Sequence, residues 1–290
     1  VAASQSTIPD GSGANVVYLT NGANYPDALA AGPAAIANGG VLLLTKTASL
    51  PPVTAQELVR VAPLRVVIVG GAAAVSKTVE NAVKALLPGT TVSRLGGATR
   101  YETGESVVQD GFQGTNPFVA IVATGRNYPD ALAAGPAAGY LGAPVVLVDG
   151  RGSIPSSTLD LLAWLGVSQI IILGGPAVVS DAAASDLVGL VGDDSVFRIA
   201  GANRYDTAAQ LNGAIFAPTD FAFLSSGANF PDALAGAPLA GALGSPLYLT
   251  RPNCLSPEAN AGIMASRANS VVLLGGTGAL STKVAQLGTC

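Results

Sequence analysis

Two stretches of this chain place a guanidinium, a phenol, a carboxylate and a hydroxyl in consecutive positions: Arg100-Tyr101-Glu102-Thr103 and Arg204-Tyr205-Asp206-Thr207. A guanidinium forks onto a phosphate or onto a carboxylate with similar geometry, so each arginine can hold an anionic ligand or an aspartate of an adjacent segment. The tyrosines that follow can stack on a sugar or seal an interface. A second set of polar groups occurs three times, as Asn24-Tyr25-Pro26-Asp27, Asn127-Tyr128-Pro129-Asp130 and Asn229-Phe230-Pro231-Asp232. Proline suits the first helical position, the asparagine can satisfy early amides, and the aspartate meets the positive helix end. The same carboxylates are also candidates for ligand contact. A third group is an apolar run ending in Gly-Gly, at residues 66–71, 170–175 and 271–276, followed by Ser76, Ser180 or Ser281. Amides at such turns can hold a phosphate or carboxylate, or the serines can simply cap helices.

What the chain lacks narrows the chemistry. With no histidine there is no His-based triad, no usual zinc site and no residue of the commonest acid/base type near neutral pH. No Gly-x-x-x-x-Gly-Lys occurs, and no Gly-x-Gly-x-x-Gly sits between a strand and a helix. The recurring acids lie about one repeat apart, and nothing marks one of them as a tuned acid of a glycosidase pair. The expectation is therefore a non-catalytic protein without metal or cofactor. A net charge of −4 and a pI near 4.7 provide no basic field for nucleic acid, so any anion must be held locally.

Residues 131–148 and 233–250 are apolar enough to imitate membrane spans, but Gly135, Pro136, Gly139, Gly142 and Pro144 punctuate the first. It reads as a short helix, a turn and the buried strand 145–148, and no span is expected. Cys254 and Cys290 are the only cysteines. Their union would close the last stretch of chain with an entropic gain of roughly 3 to 4 kcal/mol, and it would indicate export. Two buried free thiols are the alternative. Val1 lacks a preceding basic and apolar leader, so the expected chain is either cytosolic or already processed.

The elements that must position these groups alternate: strands near 16–19, 41–44 and 66–69, with helices from Pro26, Thr54 and Ser76. Continuous Val/Ile/Leu runs predict parallel strands buried on both faces, joined by crossover helices. The asparagine motif returns after 103 and then 102 residues, and the Gly-Gly runs keep step. A period near 100 is too long for a solenoid unit, so each copy should be a small α/β domain with its own core. The expected units are 1–92, N-terminally incomplete, then 93–195 and 196–290. Subtracting the period from Gly104 lands on Val1, where an Arg-Tyr-acid-Thr motif should just have ended. The expectation is a start inside a helix of a longer precursor.

These markers, in this order and in triplicate or duplicate, resemble the cell wall binding repeat 2 family of clostridial and actinobacterial surface proteins. The resemblance spans essentially the whole chain. It implies α/β, Rossmann- or Toprim-like domains with parallel sheets, arranged as an intramolecular pseudo-threefold trimer. It also implies a secreted protein of a Gram-positive cell surface, held non-covalently on an anionic secondary cell-wall polymer. The candidate residues, for polymer binding or for contacts between repeats, are Arg100, Tyr101, Arg204, Tyr205, Asn24, Asp27, Asn127, Asp130, Asn229 and Asp232. Phe230 in place of tyrosine, and the missing first Arg-Tyr motif, put fewer than three working sites in view. Two other readings stay open: a surface-layer or filament protein built by self-assembly of the same repeats, and an α/β enzyme or nucleotide-binding protein.

Overall fold

The computed structural model describes every residue except Tyr25 and Tyr128, so those two members of the asparagine motif lie outside the described residues. The first part of the chain forms α1 (Ala2–Thr7), β1 (Val16–Asn21), α2 (Pro26–Ala37), β2 (Val41–Thr45), α3 (Pro52–Val61), β3 (Arg65–Val69), α4 (Lys77–Leu86) and β4 (Thr91–Leu95). The pattern repeats as α5 (Arg100–Phe112), β5 (Val119–Thr124), α6 (Pro129–Leu132), α7 (Ala134–Leu141), β6 (Val145–Val148), α8 (Ser156–Leu165), β7 (Gln169–Leu173), α9 (Asp181–Val191) and β8 (Val196–Ile199). The last part contains α10 (Arg204–Ile215), β9 (Phe221–Ser226), α11 (Pro231–Ala242), β10 (Leu247–Thr250), α12 (Pro257–Ser266), β11 (Ser270–Leu274) and α13 (Thr282–Ala285).

The strands assemble into three parallel sheets, ordered β2-β1-β3-β4, β6-β5-β7-β8 and β10-β9-β11. The central strands β1 and β5 are buried almost throughout, as continuous apolar runs require when helices cover both faces. The outer strands β4 and β8 are half-exposed. In each sheet the chain leaves the first strand to one side and returns on the other, which opens a switch point between the carboxyl ends of β1 and β3 and of their counterparts. Each Gly-Gly turn leads into a serine cap: Ser76, Ser180 and Ser281 accept from the amides of Val79, Ala183 and Val284. Gly142, in the left-handed region at φ 62, ends α7 before β6, as read from the punctuated apolar stretch.

Two expectations change. The 92/93 boundary falls within β4, which pairs with β3, and the 195/196 boundary falls just before β8, which pairs with β7. Sheet membership thus carries the first two units through Leu95 and Ile199, because a parallel strand must join the sheet it extends. The expected separate cores are also absent in that form. A single apolar cluster runs from Val16 and Ala31 through all of the second repeat to Leu249, and only the outer flanks of the first and third repeats have clusters of their own.

The cause is the inner ring of helices α2, α7 and α11, which pack on one another. Small residues such as Ala30, Ala34, Ala134 and Ala137 line them and allow close approach. At one end of this ring the three equivalent positions are Ile36, Gly139 and Gly241. A Cβ on either glycine would lie 2.1 or 2.8 Å from Cδ1 of Ile36, so one branched side chain occupies the space of three. The outer contacts close the circle: α5 packs on α2, α10 on α7, and α1 on α11. Each repeat therefore lends its first helix to the repeat beside it.

Candidate binding site at the repeat junctions

The start of α5 is built by its own motif. Thr99 caps the helix by accepting from the Glu102 amide, and Glu102 reaches back to accept from the Ala98 amide at 2.8 Å. The Thr103 hydroxyl donates to the Thr99 carbonyl and accepts from the Gly97 amide, both at 3.0 Å. At α10 the cap is Asn203, Asp206 accepts from the Ala202 amide at 2.8 Å, and Thr207 accepts from Gly201 at 3.1 Å. The acid and threonine are thus used up in a reciprocal cap that satisfies amides left over at a helix start.

That cap aims the arginine and tyrosine. Arg100 Nη1 donates to the Gly125 carbonyl at 2.8 Å, and Arg204 Nη1 donates to the Gly227 carbonyl at 2.6 Å. A Cβ on Gly125 or Gly227 would lie 2.7 Å from Cε1 of Tyr101 or Tyr205. The bare backbone therefore lets each ring lie flush against the loop after β5 or β9, where both tyrosines pack on the shared core. Sequence reasoning missed these two glycines. Their signal was present, since Gly22, Gly125 and Gly227 each stand two residues before the motif asparagine.

The aspartates approach from the preceding repeat. Asp27 is 7% exposed, and its Oδ2 lies where a Cβ on Gly70 would be only 2.5 Å away. Asp130 and Asp232 stand against Gly174 and Gly275 in the same way, at 3.2 and 2.7 Å. All three glycines have φ between 103 and 116°, a backbone that L side chains avoid, and the carboxylate occupies the space thus left. Burial pushes the Asp27 and Asp130 carboxyls above the usual carboxylate range. The charge of Arg100 opposes this at Asp27; the Thr207 hydroxyl and the charge of Arg204 oppose it at Asp130. The three sequence motifs therefore meet at one place: an aspartate after the first strand, a Gly-Gly turn after the third, and an arginine from the next repeat, all at the switch point.

Asn24, Asn127 and Asn229 are exposed, and in the third repeat the cap residue of α11 is Phe230, with no side-chain cap bond. Pro231 already removes one amide from that helix start.

Two of the junctions open onto solvent as clefts. Between the second and third repeats, about 240 Å³ is lined by Asn127, Asp130, Gly175, Asn203, Arg204 and Thr207 among others. Between the third and first, a cleft of about 400 Å³ has Asp232, Gly275 and Gly276 on one side and Val1, Ala2 and Ala3 on the other. Among the described residues no group of acids, cysteines or histidines could hold a metal ion. Cys254 and Cys290 are joined in a disulfide across 36 residues, and among the described residues no helix is long and apolar enough to cross a membrane.

The sequence profile of cell wall binding domain 2 (CWB2) matches residues 1–80, 94–184 and 198–285. The chain belongs to the CWB2 family. Among curated proteins, this CWB2 chain is 32% identical over 272 residues to the N-acetylmuramoyl-L-alanine amidase LytC of Bacillus subtilis (strain 168), covering 94% of this chain and 52% of that one. It is 29% identical over 271 residues to an amidase enhancer of the same organism, covering 93% of this chain and 36% of that one. It thus spans about half or less of the length of these relatives. Among solved structures, Cwp8 from Clostridium difficile superposes with a TM-score of 0.86 at 27% identity, over 98% of this chain and 48% of that one. Cwp6 from the same organism gives 0.87 at 23%, over 94% and 43%. The tandem three-repeat α/β arrangement, the cell-wall-binding role and a place at the cell surface follow from this membership.

Proposed function

We propose that these CWB2 repeats bind an anionic wall polymer non-covalently at the repeat junctions and carry out no catalysis themselves. The observation that carries the reading is the convergence at the second junction, where Arg204, the start of α10 at Asn203 and the Gly175 turn line one open cleft. A guanidinium and a helix start are the groups that hold a phosphate or carboxylate in an otherwise acidic chain. Asp130 in the same cleft already offsets part of the arginine's charge, so each contact is weak and several along a polymer must add. The non-catalytic reading is supported by a family match to a binding domain and by a chain without histidine.

Sedimentation with purified Gram-positive walls tests this, before and after chemical removal of their anionic polymers. Retention should disappear on stripped walls, fall with added salt, and weaken in Arg204→Gln. Equal retention on stripped and intact walls would sink the proposal.

A further inference from the structure

A further cleft lies away from the junction sites, at the opposite, amino-terminal edge of the third sheet. It encloses about 600 Å³ between Tyr140 of the second repeat and the segments 217–221, 243–245 and 267–269 of the third. That size is within the range of about 300–1,000 Å³ typical of small-molecule sites.

Its aromatic wall is held in place. The Tyr140 ring lies 5.2 Å from that of Phe216, and a Cβ on Gly244 would meet it at 3.2 Å. Yet Tyr140 is 50% exposed and Phe221 41% exposed. The polar wall is also braced: Thr219 donates through its amide to the Ser266 carbonyl at 3.1 Å, and Asn269 Nδ2 donates to Asp220 Oδ1 at 3.0 Å.

Arg267 supplies the cation of this cleft. It ends α12 at φ 54, in the left-handed region, as Ala62 at φ 38 and Gly166 at φ 68 end the equivalent helices of the other two repeats. A non-glycine residue there costs on the order of 1 kcal/mol, of which the favourable helix end for a cation offsets only part. Among the described residues its guanidinium has no hydrogen bond or ion pair. An unpaired cation beside two exposed rings and a hydrogen-bonded acid and amide is a set of groups that can hold an anionic, ring-bearing ligand.

We infer that this cleft binds an anionic sugar unit, with Arg267 on its phosphate or carboxylate, Tyr140 and Phe221 against its ring, and Asp220 and Asn269 on its hydroxyls. Aromatic faces suit the C–H surfaces of a sugar, and the fork of arginine suits either acid group. The ligand class agrees with the wall-binding reading, but the site is separate from the junctions.

Titration of the whole chain by amide NMR tests it, with glucose 6-phosphate, glucuronic acid, glucose and inorganic phosphate as probes. At least one acidic sugar should shift the amides of Tyr140, Phe221 and Arg267 in a saturable way, and glucose and phosphate should bind more weakly. Arg267→Gly suits the backbone, so its unfolding midpoint should stay level or rise while affinity for the acidic sugar falls about tenfold or more. Tyr140→Leu should weaken binding as well. The inference fails if no probe shifts these amides, if phosphate alone does so as strongly as the sugars, if glucose matches the acids, or if Arg267→Gly binds like the parent. Arg204→Gln should leave this titration unchanged, which separates the outcome here from that of wall retention.

Discussion

The junctions at Asp27 and Asp130 differ from the junction at Asp232 in what faces the carboxylate. At the first two, an arginine of the next repeat bears on the aspartate and is itself tied to a loop carbonyl. At the third, the same aspartate and Gly-Gly turn face a cleft whose far side is Val1, Ala2 and Ala3. There α1 is fastened from behind: Arg60 donates to the carbonyls of Ile8 and Ser4, to Asp10 and to the buried Glu57 of its own helix. At all three junctions the motif aspartate lies against the positive-φ glycine of its Gly-Gly turn.

The largest effect should come from breaking the arginine junction. Arg204→Ala leaves Asp130 without its compensating charge and should cost about 2 to 3 kcal/mol, read from the denaturant midpoint. Asp232→Asn, a near-isosteric change at a half-buried carboxylate, should stay within about 0.5 kcal/mol. Equal costs would erase the distinction between the junctions.

Equal in size is the effect of the third repeat's own staple. Its last helix has 4 residues where α4 has 10 and α9 has 11. The chain end instead folds onto the loop before α12, through the disulfide and the Cys290 amide bonded to Leu255. Cys290→Ser should cost about 3 kcal/mol, and a reductant should lower the melting temperature of the parent but not of the variant.

A smaller loss is expected at the first junction, where the buried Tyr18 hydroxyl donates at 2.5 Å to Asp110 of α5, which also pairs with Arg65. Tyr18→Phe should cost about 1 kcal/mol, measured by thermal unfolding.

The smallest effect is a difference in sign with pH. Burial raises the Asp27 and Asp130 carboxyls, so the native state holds their protons more tightly than the unfolded chain does. Their contribution is present at low pH and fades as pH rises through the raised values. Glu57, held below the usual range chiefly by Arg60, contributes above its unfolded value and loses that contribution as pH falls through the lowered one. Asp130→Asn should therefore flatten the stability profile just above the ordinary carboxylate range, and Glu57→Gln should flatten it below. Parallel profiles for parent and both variants would show that neither carboxyl is perturbed.

Much of this was legible in the residues. The three spaced motifs revealed the repeat, the apolar runs marked parallel strands, and Gly-Gly followed by serine marked strand-to-helix turns, because backbone geometry and helix ends impose those residue types locally. That an arginine could serve an aspartate of another repeat was one of two open uses. Residue type alone could not choose, since carboxylate and phosphate accept the same fork.

Tertiary structure decided what depends on distance in space. It placed β4 and β8 in the sheets of the preceding repeats, merged the expected cores through an alanine-lined ring, and set Ile36 against Gly139 and Gly241. It also brought Tyr140 and Arg267, more than a hundred residues apart, into one cleft. The sequence by itself determined what recurs along the chain, since helix starts, turns and buried strands each select residues over a few positions. Which copy of a motif meets which neighbour is set by long-range packing, and identical local signals leave that choice open.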